Sequence, residues 1–102
     1  MLIVSCDLKS VKLDADGFDG VLQGVGGEAK RVMDSTWIVD TRLSANDYSQ
    51  EILKHLSEGD RFFVAKIEGR DRQGMIAKTS WDWVRQREDL QSPPPPTEMR
   101  LG

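Results

Sequence analysis

Asp7 is the side chain of this sequence best placed to do chemistry. It sits near the end of the apolar run Leu2-Ile3-Val4-Ser5-Cys6-Asp7-Leu8. Asp is disfavoured inside strands because its side chain competes for backbone hydrogen bonds. An Asp there needs a reason, and that reason is either chemical or structural. A structural role competes, in which Asp7 accepts backbone N–H groups from the loop Lys9–Lys12. Both roles stay open on the residues alone. Asp14 and Asp16 do not make a calcium loop, which would need a ligand at Phe18 and a closing bidentate Glu.

Other reactive groups are few. Cys6 is the only cysteine and His55 the only histidine. An internal disulfide and a two-histidine metal site within one chain are therefore excluded. Cys6 falls on an apolar strand face and reads as a buried, inert thiol. A lone free thiol suits a reducing cytoplasm. His55 reads as a surface residue between Lys54 and Leu56. Gly24-Val25-Gly26-Gly27 lacks the Gly-x-x-x-x-Gly-Lys spacing of a phosphate loop and reads as a helix stop.

Nucleic acid is a second candidate chemistry. Lys9 and Lys12 flank Asp7, and Arg70, Arg72 and Lys78, with Arg85 and Arg87, form the densest basic cluster. These residues are candidate phosphate contacts. Trp37, Trp81 and Trp83 either stack on bases or pack at an edge or interface. Against this, 14 Lys and Arg face 17 Asp and Glu, a net charge of −3. That excludes a protein that coats nucleic acid through a wholly basic surface and leaves room for a local groove.

Hydrophobic spacing sets the elements that must position these groups. Leu2–Leu8 alternates Leu2, Val4, Cys6 and Leu8 against Ile3, Ser5 and Asp7, a strand with one apolar face. Phe18, Val21, Leu22 and Val25 follow at helical spacing, with Asp16 as the expected N-cap and Gly26-Gly27 as the stop. Arg31–Thr41 reads as one long strand that bends or bulges midway. Ser44 then caps a second helix, with Asp47 three residues on and Tyr48, Ile52 and Leu56 as its buried stripe. Arg61–Ile67 is apolar on both faces and reads as a central strand. Met75–Lys78 reads as a short fourth strand, and Thr79 caps a last helical turn through Trp81–Val84.

The 102 residues fit one domain, with 38% hydrophobic and 30% charged side chains. Such a balance gives a small core and a well-solvated surface, conditions that favour dimerisation. The domain is expected over 1–90. The tail 91–102 carries the polyproline run Pro93–Pro96 and is expected to be disordered. No apolar run reaches the length of a membrane span, and the apolar start is too short, and lacks a basic flank, for a secretory signal. The expected fold is an α+β two-layer sandwich, a ferredoxin-like antiparallel sheet with two helices on one face and a C-terminal extension. A full ferredoxin-like β-α-β-β-α-β order needs two strands between the helices. Lys30–Thr41 supplies both only if it turns, and Asp34-Ser35 is the one candidate there.

Three segments carry a resemblance: Val4-Ser5-Cys6-Asp7-Leu8, Asp34-Ser35-Thr36-Trp37-Ile38-Val39 and Asp60-Arg61-Phe62-Phe63-Val64-Ala65-Lys66-Ile67. Over roughly the first 70 residues the chain resembles the SinR-like small proteins, relatives of the CRISPR-associated protein 2 family and of the virulence-associated protein D ribonucleases. The resemblance implies a ferredoxin-like fold and a homodimer formed through the sheet. It also implies either metal-dependent nuclease activity or an adaptor role in holding DNA. Asp7 matches the family's acid at the end of the first strand. Two copies of that acid would approach across the dimer axis and share a divalent cation, here Mg²⁺. The chain departs from the pattern in having few basic residues near Asp7 beyond Lys9 and Lys12. It also carries Met75–Lys78, Trp81 and Trp83 where the family often adds a strand to the partner's sheet.

The expected function is a homodimeric binding or adaptor module that engages nucleic acid or a protein partner without catalysis of its own. The alternatives are a metal-dependent RNA or DNA endonuclease with Asp7 as catalytic and metal residue, and a phage or mobile-element protein that interferes with host defence.

Overall fold

β1 (Leu2–Asp7) lies at the centre of the sheet and is paired antiparallel on both sides. The computed structural model describes residues 1–68 and 72–91, with side chains through Glu88. The remaining elements are α1 (Ala15–Val25), β2 (Glu28–Met33), β3 (Thr36–Asp40), α2 (Ala45–Leu53), β4 (Arg61–Lys66) and α3 (Lys78–Gln91). The strand order is β2-β3-β1-β4, and every neighbouring pair is antiparallel. This is a ferredoxin-like two-layer arrangement. In it β3 inserts between β1 and β2, and β1 inserts between β3 and β4.

The segment expected as one long strand is two strands joined by a turn at Asp34-Ser35. The Arg31 guanidinium closes the turn, with Nε donating to the Asp34 carbonyl at 2.9 Å. The Cys6 N–H then takes the Ser35 carbonyl at 3.0 Å and ties the turn to β1. The pairing of β2 with β3 also shifts register between Arg31 and Met33.

The core lies between the sheet and α1 and α2. Leu2, Val4 and Cys6 of β1 meet Trp37 and Val39 of β3, and against them pack Phe18, Leu22, Tyr48 and Ile52. Each large apolar side chain fully buried there stabilises the fold by about 1.5–3 kcal/mol. Asp14, not Asp16, caps α1, accepting the Gly17 N–H at 2.7 Å. Asp16 instead pairs with Arg31 at 2.8 Å. Ser44 caps α2 as expected, accepting the Asp47 N–H at 3.0 Å. Gly27 ends the crossover at φ +88°, and a Cβ there would stand 2.1 Å from the Asp40 carbonyl oxygen. Glycine is therefore required at that close approach.

Three expectations near the C-terminal end are overturned. β4, expected to be central, is an edge strand. Met75–Ala77 form no strand, and the expected single helical turn is the 14-residue α3. Its first turn opens at Ala77, whose carbonyl accepts the N–H of Ser80 at 2.9 Å and of Trp81 at 3.2 Å. α3 lies on the sheet face opposite α1 and α2. Its side chains Trp81 and Val84 share a groove with Ile3, Thr36 and Ile38, which alternate with the core-facing residues of β1 and β3. Gln91, the first residue of the expected tail, is still helical. The rest of that tail, with Pro93–Pro96, lies outside the described residues. Among the described residues no helix is long and apolar enough to cross a membrane.

Candidate functional site

The open sheet face, where Asp7 was expected to meet a partner, divides into two parts. α3 covers the β2–β3 side and is anchored by Arg87, which pairs with Glu28 and lies 3.6 Å from Asp40. The other part stays uncovered and carries Ser5, Asp7, Arg61 and Phe63. Pairing places them: Asp7 stands opposite Arg61, and Ser5 opposite Phe63.

Asp7 projects from the end of β1 with its side chain 61% exposed, and its carboxylate lies 3.3 Å from Lys9 Nζ. It does not organise the Lys9–Lys12 loop. Asp60 does so, accepting the Lys9 N–H at 2.8 Å, the Ser10 N–H at 2.9 Å and the Ser57 N–H at 3.0 Å. The Ser10 hydroxyl adds a fourth bond at 3.1 Å. These donors, the Ser10 N–H foremost, hold the Asp60 carboxyl down to about 2 from the ordinary 3.8. The structural role open to Asp7 thus falls to Asp60, and Asp7 is left solvent-facing. Among the described residues no three His, Cys, Asp or Glu side chains gather into a metal-holding group. A Mg²⁺ ion held through Asp7 would need ligands from outside this set.

Phe63 is 67% exposed, an unusual state for an aromatic in a sheet. Sequence spacing missed it because a doubly apolar strand reads as buried on both faces. The edge position of β4 leaves one of those faces in water. Beside it the Ser5 hydroxyl lies 3.2 Å from the Thr36 hydroxyl, within hydrogen-bond distance.

Most described members of the expected basic set sit beside carboxylates. Lys12 is exposed in the turn after β1, and Lys9 is taken by Asp7. Arg72 pairs with Glu88, and Lys78 with Asp82 at 2.7 Å. Arg85 lies 3.7 Å from Asp82 and over the Trp81 ring, and Arg87 lies over Trp83. Arg70 lies outside the described residues. Trp37 is not a stacking platform. It is fully buried, donates its indole N–H to Asp19 at 2.8 Å, and meets Phe18 edge-on at 5.3 Å. Cys6 is buried as expected, and burial pushes its thiol upward, away from reactivity. His55 is exposed just past α2.

A second feature was not read from the sequence at all. Between the sheet and α3 lies an apolar groove of about 310 Å³. Its walls come from elements far apart in the chain, and α3 carries no continuous apolar stripe that would announce a docked helix. Ser80, Val84 and Arg87 are the side chains it turns inward. No protein-family model, no curated protein and no solved structure matches this chain.

Proposed function

We propose that the protein is a homodimeric binding module without catalysis of its own, joined to its second copy through the uncovered part of the sheet face. The observation that carries this is Phe63, an aromatic 67% exposed on an edge strand. A two-fold contact needs a patch complementary to itself. Asp7 and Arg61 stand side by side with Phe63 close by, so the patch holds both charge signs around an apolar anchor. A second copy can then set Arg61 against Asp7 and bury both Phe63 rings. The basic side chains of α3 are engaged by carboxylates, which favours a protein over a phosphate backbone as the module's further partner.

Sedimentation at micromolar concentration tests the dimer. The expected mass is twice the 11.5 kDa protomer, falling to the protomer in Phe63→Ser with the circular-dichroism spectrum of the folded chain retained. A wild-type chain that sediments only as the protomer overturns the proposal. The exposure of Asp7 on this same patch favours one second reading, a metal-dependent nuclease in which two copies of Asp7 share Mg²⁺. Mg²⁺-stimulated cleavage of RNA or DNA that disappears in Asp7→Ala, with the dimer retained, would establish it.

A further inference from the structure

We propose that α3 is a strap, held to the sheet mainly by charge, that opens apart from the rest of the domain and so controls how much of the sheet face a second copy can reach. Among the described side chains of α3, only Ser80 and Val84 are buried. The space beneath the helix is not filled. An apolar groove of about 310 Å³ remains there, walled by Ile3 and Ile38 of the sheet and by Trp81 and Val84 of the helix. Elements with few buried apolar contacts open before the core does. A helix of 14 residues is also marginal in water on its own, so α3 unravels once it leaves the sheet.

The anchor is electrostatic. Arg87 pairs with Glu28 of β2 and lies 3.6 Å from Asp40 of β3. Its Nε is buried and has no acceptor among the described residues. An unmet buried donor offsets part of what the ion pairs contribute. The Glu28 side chain is 56% exposed, so water and salt screen its pairing. The contacts of Asp82 with Lys78 and Arg85 stay within α3 and do not hold it to the sheet. Opening uncovers Ile3 and Ile38, which stand opposite each other on β1 and β3. Ile3 also stands opposite Ala65 of β4, two residues along from Phe63. The uncovered strip is therefore continuous with the Phe63 patch. The effect on self-association rests on the dimer proposed above, and the opening itself does not.

Native-state hydrogen exchange on the full chain tests the opening. The α3 amides are expected to exchange at least about 100-fold faster than those of β1, after correction for intrinsic rates. Raising NaCl from about 0.05 M to about 1 M is expected to speed α3 exchange about fivefold and leave β1 unchanged. Arg87→Glu is expected to speed it about tenfold, again with β1 unchanged, and Glu28→Arg in that background to recover part of the protection. Arg85→Glu makes the same change of charge at a side chain that touches only α3, and is expected to alter α3 exchange less than about twofold. Protection in α3 equal to that in β1, or an opening that ignores both salt and Arg87→Glu, overturns the proposal. Sedimentation is expected to show tighter self-association of Arg87→Glu than of the wild type, and association no tighter overturns the control of the sheet face. Phe63→Ser is expected to keep the wild-type exchange of α3, so failure of the dimer and failure of the strap are read separately.

Discussion

The Asp60 carboxylate accepts the Ser10 N–H at 2.9 Å across 50 residues of sequence. With Lys9 and Ser57 it ties the loop after β1 to the entry of β4. These donors favour the ionised form, so the folded state holds Asp60 at about 2 against an ordinary 3.8. Its contribution to stability is present above 3.8 and is lost as pH falls through about 2. Urea unfolding across that window is expected to show an acid limb in the wild type that flattens in Asp60→Asn. An unchanged limb would place the acid sensitivity elsewhere.

Tyr48 sets the opposite limit. It is fully buried, donates its hydroxyl to the Leu22 carbonyl at 3.1 Å, and is pushed up by burial from 10 to about 12. The protonated form is the one the fold favours. Stability from this group is therefore full below pH 10 and is lost as pH rises towards 12. Tyr48→Phe is expected to cost about 1 kcal/mol at neutral pH and to flatten the alkaline limb, as measured by urea unfolding.

The indole of Trp37 depends on a carboxylate from the neighbouring layer. Asp19→Ala removes the acceptor of a buried N–H, and the expected loss is about 1–3 kcal/mol. Trp37→Phe in that background is expected to cost less than it does in the wild type, because no orphaned donor remains. A double-mutant cycle by urea unfolding reads the coupling.

Two glycines are expected to respond with opposite signs. Gly27 has φ +88° and no room for a Cβ beside the Asp40 carbonyl, so Gly27→Ala is expected to destabilise by about 1–3 kcal/mol. Gly20 lies within α1 with nothing near its missing Cβ, so Gly20→Ala is expected to stabilise by about 1 kcal/mol. Thermal unfolding of the two variants distinguishes them.

Local chemistry accounts for what the sequence by itself determined. Alternation in Leu2–Asp7 chose the core face of β1, and helical spacing chose Phe18 and Leu22, then Tyr48 and Ile52. Ser44 marked the start of α2, and Gly26-Gly27 the end of α1. These features rest on periodicity and on caps, which act over a few residues. The two-strand reading of Lys30–Thr41 hung on a turn at Asp34-Ser35, and its closure depends on a side chain, Arg31, that also reaches Asp16 in α1.

Tertiary structure decided the rest. The apolar content of Arg61–Lys66 does not say which side of the sheet it will join, and strand order alone put it at the edge and left Phe63 in water. Asp60 became the loop's acceptor because β4 begins beside the end of β1, a proximity that spacing along the chain does not contain. α3 docks through Ser80, Val84 and Arg87 rather than through an apolar stripe. Its place on the sheet, and with it the groove and the engagement of the basic residues, follows from contacts to strands more than 40 residues away. Asp7 was visible from the first residues onward. Its position beside Arg61 and Phe63 on an uncovered face belongs to the fold.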